Sequence, residues 1–236
     1  MFTRYRLHFI FFTLLFYSCS VYSQNIFKNK NKKKIDPITK NVKGCKAYKG
    51  LFTIYQSQKD GKSYIEIDTS HLDREYIYFS YYENGVGDAR IVRGRYRGSK
   101  IIKINKFYNK IDFRIENTKY YFDPNSPLSK ASSANINNPI IISEKIIATS
   151  LCKSRFLISA DNIFLNESFQ QIKASYSSRY KGFKLGNLSK TKTRYKNIRS
   201  YPENTDVMVN YVYESKYPST RGGQAITDSR TVSVMV

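Results

Sequence analysis

The chain has 236 residues, a hydrophobic fraction of 41% and a formal net charge of +22, so it is long enough to form one sizeable domain. Beyond the first 23 residues it has one histidine, His71, which excludes the usual zinc sites built from two or three histidines. No stretch after those residues is apolar enough to cross a bilayer as a helix.

Residues 1–23 have the layout of a secretory signal peptide. Two arginines near the start precede an apolar segment at 9–17, and small residues occupy the two positions that a signal peptidase reads before Gln24. The apolar segment is too short for an ordinary membrane span. The sequence therefore predicts export to the periplasm, the cell envelope or the medium, without a transmembrane segment once the signal is removed.

Residues 24–49 are dense in lysine and contain few apolar side chains. This composition is typical of a solvated basic linker. The alternative is that this segment is a polybasic arm that contacts acidic polymers of the cell envelope.

From Gly50 onward, short segments in which apolar and polar residues alternate predict β-strands. Residues 51–55 and 63–67 form a predicted hairpin across the turn at 59–62, and residues 76–82 form a third strand. Residues 90–97 and 99–108 are interpreted as a second hairpin across Gly98.

The remaining strand candidates lie at 111–115, 140–147, 155–159 and 205–214, with a loop or broken helix at 123–139. The sequence therefore predicts a mainly β protein of antiparallel sheets, sandwich- or barrel-like, with minor helix. The strands form either one domain over 50–236 or a small 36–84 hairpin subdomain followed by 85–236.

The closing segment is residues 227–236, and its last six residues alternate small polar and apolar side chains before ending apolar, as a half-buried strand does. Chains usually protect an apolar edge strand with charge or proline, and none follows here. We therefore expect a chain cut off at its carboxyl end, or one that needs a partner strand.

Three cysteines are informative about the cellular compartment of the protein. Cys19 offers an alternative reading of the amino terminus, as a lipid-modified residue. Cys45 and Cys152 remain after signal removal and form a candidate disulfide in an oxidising compartment; the alternative is two separate small apolar residues.

Arg93, Arg95 and Arg97 form the candidate binding feature. Spacing of two would place them on one face of a strand, where they can hold phosphate or carboxylate groups; the alternative is an exposed sheet face. The charge of +22 points to acidic polymers as partners and does not by itself predict a specific nucleic-acid partner.

No other group of residues forms a recognisable catalytic set. Ser70, His71 and Asp73 are too close in sequence to align as a triad, so His71 is interpreted as a turn residue. Glu66 and Asp68 share one side of a strand, which suits acid–base chemistry but is also common on solvated faces. We predict no catalytic, cofactor-binding or metal-binding residue in this chain.

Several segments resemble the amino-terminal region of a family of exported bacterial zinc-dependent metalloproteases found in Bacteroidetes-type bacteria. They are GLFTIY at 50–55, DGKSYIEI at 60–67, LDRE at 72–75, FKLGNL at 183–188 and IRSYPENTDV at 198–207. The closing TDSRTVSV at 227–234 is similar to a strand of that region, and Asp73 stands where the family usually has glycine.

The resemblance spans residues 36–236 and implies a non-catalytic amino-terminal portion, truncated before the zinc-binding peptidase domain. That domain's His-Glu-x-x-His motif is absent from this sequence, so the resemblance assigns no zinc ligand here. It implies a downstream peptidase domain or polypeptide as a partner, with zinc bound only there. The alternative is an independent basic module of the cell envelope that binds acidic glycans or peptides.

Overall fold

The structure, a computed structural model, describes residues 34–169, 171–173, 175, 179, 182–215 and 228–235. Of residues 133–135 and 228–235 only the backbone is described. The predicted signal peptide and Cys19 lie outside this part of the chain. The fold described below belongs to the compact unit that begins at Pro37.

The described elements are mostly strands, with three short α-helices. The helices are α1 (Pro37–Asn41), α2 (Pro127–Asn135) and α3 (Asp161–Phe164). The strands are β1 (Cys45–Tyr48), β2 (Thr53–Ser57), β3 (Ser63–Asp68), β4 (Glu75–Tyr82), β5 (Tyr96–Phe107), β6 (Lys110–Ile115), β7 (Ile140–Lys145), β8 (Ala148–Thr149), β9 (Arg155–Ser159), β10 (Asn187–Leu188), β11 (Arg194–Ser200), β12 (Thr205–Ser215) and β13 (Asp228–Met235).

The strands form two sheets whose described pairs are all antiparallel. The first sheet has the order β1-β2-β3-β9-β8. The second has the order β10-β12-β13-β4-β5-β6-β7, with β11 also paired to β12. The prediction of a mainly β, antiparallel fold with minor helix is confirmed.

One hydrophobic core lies between the two sheets. Ile54 and Ile67 of the first sheet and Ile104 and Ile111 of the second are all 0% exposed and belong to the same buried cluster. In β3 the burial alternates strictly from Ser63 to Asp68, because successive side chains of a strand point to opposite faces. The period-2 patterns in the sequence therefore mark the inner faces of the sheets.

The folded region begins earlier than the sequence predicts. The predicted linker extends to residue 49, but α1 and β1 are already part of the fold. Ile38 is 2% exposed and packs in a second small cluster with Ala148 and Leu157. Ile38, with half-buried Val42 in the same cluster, packs α1 against the first sheet, although the composition of this segment is rich in lysine.

The predicted hairpin across Gly98 is wrong. β5 runs without a turn from Tyr96 to Phe107, and Gly98 pairs with Ser80 of β4. The register between β4 and β5 shifts next to this pair, and Gly98 has φ = 114°. Glycine serves at bulges as well as at turns because it tolerates positive φ, so the residue type alone did not distinguish the two.

The closing strand lies inside the second sheet. β13 pairs with β12 from Met208↔Met235 to Ser215↔Asp228, and with β4 at Val234↔Tyr82 and Met235↔Tyr81. β12 thus pairs with β13 along its whole described length, whereas β4 pairs with it at two positions, so the expected partner strand is supplied within the chain along one edge of β13.

Among the helices of the described residues, none has the length and apolar character needed to cross a bilayer.

Candidate functional site

The second sheet has a gap among its described strands. β4 and β12 both flank β13, but β4 pairs with it only at Tyr81 and Tyr82. Beyond Met235, no described strand lies between residues 75–80 of β4 and residues 205–207 of β12. We call this region the edge gap.

Backbone groups of β4 point into the edge gap. The N–H of Tyr82 donates to the carbonyl of Arg95, and its carbonyl accepts from Gly94, both on the β5 side. In an antiparallel ladder successive residues direct these groups to opposite sides. The backbone groups of Ile77 and Phe79 therefore face the gap.

A cavity of about 590 Å³ opens at the edge gap and extends between the two sheets. Its walls combine the edge of β4, the β11–β12 turn and side chains of the shared core. The lining residues are Leu51, Phe52, Ile65, Glu75, Tyr76, Ile77, Tyr78, Phe79, Ile102, Ile104, Phe113, Ile163, Phe164, Phe169, Pro202, Glu203, Asn204, Thr205 and Asp206. The lining is mostly apolar, as is typical of binding pockets.

The charged groups of this cavity are all acidic, although the chain as a whole is strongly basic. Glu75, Glu203 and Asp206 are the charged residues of the lining. The buried hydroxyl of Tyr78 also lies there without a hydrogen-bond partner among the described residues. Burial raises the pKa of Tyr78 to about 12, so this hydroxyl stays protonated and can donate a hydrogen bond.

One wall of the cavity is a junction between two distant segments. The N–H of Leu51 donates to the carbonyl of Tyr201 at 2.6 Å, and the N–H of Phe52 donates to Thr205 Oγ1 at 3.2 Å. Ser200 Oγ donates to the carbonyl of Phe52 at 2.8 Å. These bonds join the GLFTIY segment to the IRSYPENTDV segment.

Gly50 makes this junction possible because a Cβ there would lie 2.3 Å from Ser200 Oγ and 2.5 Å from the backbone nitrogen of Tyr201. Gly186 of the FKLGNL segment has a similar role, since a Cβ there would lie 2.0 Å from the carbonyl oxygen of Glu214. Glycine is required where two backbones approach this closely.

Asp73 occupies a position whose backbone suits glycine. It has φ = 58°, in the left-handed region that residues with a Cβ adopt at a cost. Its N–H donates to the carbonyl of Ile104 at 2.8 Å. Asp73 therefore holds a strained backbone conformation.

His71 caps a 3-10 turn and lies near the cavity wall. The N–H of Asp68 donates to His71 Nδ1 at 3.1 Å, and the ring packs edge-on against Phe52 with centroids 5.0 Å apart. Ser70 and Asp73 are bonded elsewhere, Ser70 N–H to the carboxylate of Asp68 and the Asp73 carboxylate to Asn105. The interpretation of His71 as a turn residue is confirmed.

Burial lowers the pKa of His71; the charge of Asp68 opposes this shift, and the weaker effects of Arg74 and Glu66 lower and raise the pKa respectively. The neutral imidazole is the form that can accept the hydrogen bond from Asp68. The Glu66 carboxylate accepts from Tyr55 and forms an ion pair with Arg155, so this carboxylate is engaged within the first sheet.

The structure does not place the three arginines of the predicted stripe on one strand face. Arg93 lies in a turn, Arg95 precedes β5, and only Arg97 belongs to that strand. Arg97 donates to the carbonyl of Gln171 and lies 5.2 Å from the Tyr82 ring centroid. Arg95 donates to the carbonyl of Arg90. Whether these side chains contact an anion stays a prediction.

Cys45 and Cys152 are both free thiols in this structure. Cys45 lies in β1 and Cys152 follows β8, and these are the two edge strands of the first sheet, with three strands between them. Because neighbouring strands lie about 4.8 Å apart, this arrangement does not bring the two thiols to bonding distance.

The described residues contain no group of three or more His, Cys, Asp or Glu side chains arranged to hold a metal ion. At the edge gap, backbone groups of β4 that face away from β5 lie beside a mostly apolar cavity whose lining includes three acidic residues. Sequence reasoning missed it, although one signal was present. Residues 76–80, YIYFS, form an uncharged strand without the lysine or proline that usually protects an edge.

Comparisons with known proteins return two family matches. Residues 33–85 match a family described as a domain of unknown function, DUF5118, and residues 94–236 match one described as a domain of unknown function, DUF5117. No curated protein and no solved structure matches the chain. Since the second match covers more than half of the sequence, the chain belongs to the DUF5117 family.

Proposed function

We propose that this chain is a non-catalytic amino-terminal region of an exported zinc-dependent metalloprotease, whose zinc-binding residues lie outside this sequence. The observation that carries the proposal is the junction of Leu51 and Phe52 with residues 200–205. The IRSYPENTDV segment, which carries the strongest resemblance to that protease region, is far from the GLFTIY segment in sequence, but the two form one contact in the fold.

Three further features support the proposal. Gly50 and Gly186 each lie where a second backbone leaves no room for a Cβ, and Asp73 has the φ of a glycine position. Each of these residues belongs to a segment that carries the resemblance. In the segments that resemble the protease region, close backbone contacts therefore explain Gly50 and Gly186.

The role that follows is structural or binding rather than chemical. The sequence has two histidines, His8 and His71, and His71 is engaged as a cap. The cavity at the edge gap offers apolar surface and carboxylates, with no nucleophile paired to a base among its lining residues. A domain of this kind holds or positions a polypeptide for a catalytic partner.

The coding sequence that follows the Val236 codon tests the relation to a protease. A His-Glu-x-x-His segment there, in any reading frame, supports the proposal; an unrelated gene in every frame counts against it. The purified chain provides the second arm. With added zinc it is expected to leave casein intact, and cleavage that EDTA abolishes would overturn its non-catalytic assignment.

Export is part of this proposal and has its own test. After expression in a bacterium with its native leader, the mature chain is expected to begin at Gln24 by amino-terminal sequencing. Recovery of a chain that begins at a lipid-modified Cys19 would contradict cleavage before Gln24 and would indicate anchoring to a membrane.

A second candidate function is a basic envelope module that binds acidic glycans or peptides. The net charge of +22 and the exposure of Arg93 and Arg95 favour it. Retention on immobilised heparin that survives physiological salt, and that falls when both arginines are changed to serine, supports this candidate. Elution of the chain from heparin below physiological salt would show that its retention is a non-specific effect of the positive charge.

A further inference from the structure

We propose that one end of the fold binds the surface of an anionic lipid bilayer. Two aromatic side chains of this end enter the membrane–water interface, and the lysines around them contact the lipid headgroups. The aromatic residues are Phe107 and Tyr108, at the turn between β5 and β6, and we call this pair the aromatic tip. The inference goes beyond the protease relation and does not depend on it.

The aromatic tip is exposed to solvent. Phe107 pairs with Lys110 across the turn, so Tyr108 and Asn109 are its two connecting residues. Phe107 and Tyr108 are 57% and 82% exposed, and their rings pack edge-to-face with centroids 4.8 Å apart. Neither side chain belongs to the hydrophobic clusters formed by the described residues. Core packing therefore does not account for either aromatic residue.

The backbone of the turn does not favour an aromatic residue either. Tyr108 has φ = 48°, a conformation that residues with a bulky side chain adopt at a cost. Two-residue hairpin turns with positive φ favour glycine, asparagine or aspartate instead. A residue that suits neither the turn nor the core indicates a contact outside the chain.

Two exposed aliphatic residues lie in the segments that adjoin the tip. The N–H of Ile146 donates to the carbonyl of Asn109 at 2.8 Å, which ties the segment after β7 to the turn. The next residue, Ile147, is 45% exposed, and Leu151 in the β8–β9 turn is 53% exposed. These residues add aliphatic surface to that of the two rings.

Contacts of β9 place the β8–β9 turn at the same end of the fold as the tip. Lys106 directly precedes the tip, and its Nζ lies 5.5 Å from the ring centroid of Phe156 in β9. Phe156 pairs with Thr149 of β8, and the turn that joins these two strands contains Leu151. Apolar groups exposed together at one end of a fold are typical of an interaction surface.

Lysines flank the apolar groups at this end. Lys106 and Lys110 border the tip, Lys145 pairs with Lys110 on the neighbouring strand, and Lys153 lies in the β8–β9 turn. All four are exposed. Like charges directly opposite each other in a ladder repel, so the pairing of Lys110 with Lys145 is unfavourable until an anion lies between them.

The acidic side chains near these lysines are engaged within the fold. The carboxylates of Asp68, Asp73 and Glu144 accept hydrogen bonds from other residues. The four lysines and exposed Arg74 outnumber these three carboxylates. This end of the fold therefore has a positive surface, which complements anionic headgroups.

A lipid surface fits both parts of this end of the fold. Aromatic rings with a polar edge, such as tyrosine, concentrate at the membrane–water interface. Lysine side chains keep the ammonium group among the headgroups while the methylene stem lies along apolar surface. Stable peripheral binding needs two signals, and an apolar insertion combined with basic residues supplies them.

A tryptophan introduced at the tip reports insertion directly, because the chain has no tryptophan of its own. With vesicles of phosphatidylcholine and about one-third phosphatidylglycerol, the emission of Tyr108→Trp is expected to shift to shorter wavelength. Tyr121→Trp is the matched control, since Tyr121 is 87% exposed and follows the opposite end of β6. Both variants have the same amino terminus. Equal shifts at the two positions, or none at residue 108, would overturn the proposal.

The same fluorophore distinguishes a lipid surface from a second copy of the chain. The emission of Tyr108→Trp without vesicles is expected to stay the same as the protein concentration rises. A shift to shorter wavelength that depends on protein concentration alone would identify the chain itself as the partner, and the lipid proposal would be wrong.

Removal of the two rings tests their contribution to affinity. Phe107→Thr with Tyr108→Asn keeps residues that suit a strand end and a positive φ, so the melting temperature is expected to be retained. Co-sedimentation with the anionic vesicles is expected to weaken about tenfold or more. Tyr120→Thr with Tyr121→Asn removes two rings that are 63% and 87% exposed elsewhere, and is expected to bind as the parent does. Equal binding by the two double variants would contradict insertion of the tip.

A charge-matched pair of variants separates local contacts from the general basicity of the chain. Lys110→Gln with Lys145→Gln is expected to weaken vesicle binding by about tenfold. Lys59→Gln with Lys62→Gln removes the same charge from the β2–β3 turn and is expected to weaken it less than about threefold. Equal losses would show that the whole charge of the chain drives binding, and a localised lipid site would be ruled out.

Discussion

Gly50 lies directly against the backbone of Tyr201, so closely that a Cβ on Gly50 would be 2.5 Å from both the nitrogen and the carbonyl oxygen of Tyr201. The following residue, Leu51, donates to that same carbonyl oxygen. This contact joins the start of the first sheet's β2 hairpin to the β11–β12 turn of the second sheet, beside the cavity at the edge gap. It is the point where the GLFTIY and IRSYPENTDV segments meet.

The first prediction concerns this contact. Gly50→Ala is expected to lower the free energy of unfolding by about 1–3 kcal/mol, because the backbone of Tyr201 must shift to admit the methyl group. Urea unfolding followed by circular dichroism measures the change. Gly87→Ala is the matched control, since a Cβ there meets no atom within 4 Å, and its effect is expected to stay within about 0.5 kcal/mol. Equal midpoints for the two variants would contradict the close approach.

The second prediction concerns Asp73, whose φ is 58°. Asp73→Gly is expected to leave stability unchanged or raise it by up to about 1 kcal/mol, because glycine adopts the left-handed region without strain. Asp73→Val is expected to destabilise by more than about 1 kcal/mol, because a β-branched side chain is least tolerated there. Thermal unfolding of both variants provides the measurement.

The control for Asp73 is Asn105→Ala, which removes the hydrogen bond to the Asp73 carboxylate without changing the backbone at residue 73. It isolates the contribution of that bond, which is exposed and therefore expected to be small. If Asp73→Gly destabilises more than Asn105→Ala does, the backbone explanation fails.

The third prediction concerns pH. The folded state lowers the pKa of His71, so the unfolded chain binds the additional proton more readily as pH falls through the ordinary histidine value of about 6.5. The stabilisation from the neutral imidazole is present above that value and is lost as pH falls towards the lowered folded-state pKa. We expect a lower melting temperature at pH 5.5 than at pH 7.5, each pH being about one unit from the histidine value.

His71→Asn tests the assignment of this pH effect, because the asparagine oxygen can accept the N–H of Asp68 in place of Nδ1 but does not titrate in this range. The difference in melting temperature between the two pH values is expected to shrink in this variant. A difference as large as in the parent chain would assign the effect to other groups.

The fourth prediction concerns the two free thiols. Hydrogen bonds from Ser150 and Ser154 lower the pKa of Cys152 to about 7, whereas burial raises the pKa of Cys45. Because the thiolate is the reactive form, iodoacetamide is expected to alkylate Cys152 first, with a rate that reaches half its maximum near pH 7.

Mass spectrometry of tryptic peptides measures both sites in one experiment. Ser150→Ala with Ser154→Ala removes the two donors and is expected to move the half-maximal pH for Cys152 upward, towards the ordinary thiol value of about 8.5. A midpoint unchanged by this double variant would show that the serines do not set the reactivity of the thiol.

The alternation of apolar and polar residues was enough to predict the class of this fold and several of its strands. Residues 51–55, 63–67, 76–82 and 205–214 were predicted as strands and correspond to β2, β3, β4 and β12. Alternation is a local property, since it follows from the opposite directions of successive side chains. Gly98 was misinterpreted for the same reason, because one permissive residue suits a turn and a bulge equally.

The order of the strands and the edge gap were decided only by the tertiary structure. Nothing in the local pattern of residues 228–235 indicates that this strand lies between β12 and β4, or that it pairs with β4 at only two positions. The contact of Gly50 with Tyr201 likewise joins residues far apart in sequence. Local patterns determined which residues form strands and which of their faces are buried; long-range backbone pairing, which no single segment encodes, determined the order of the strands and where the cavity lies.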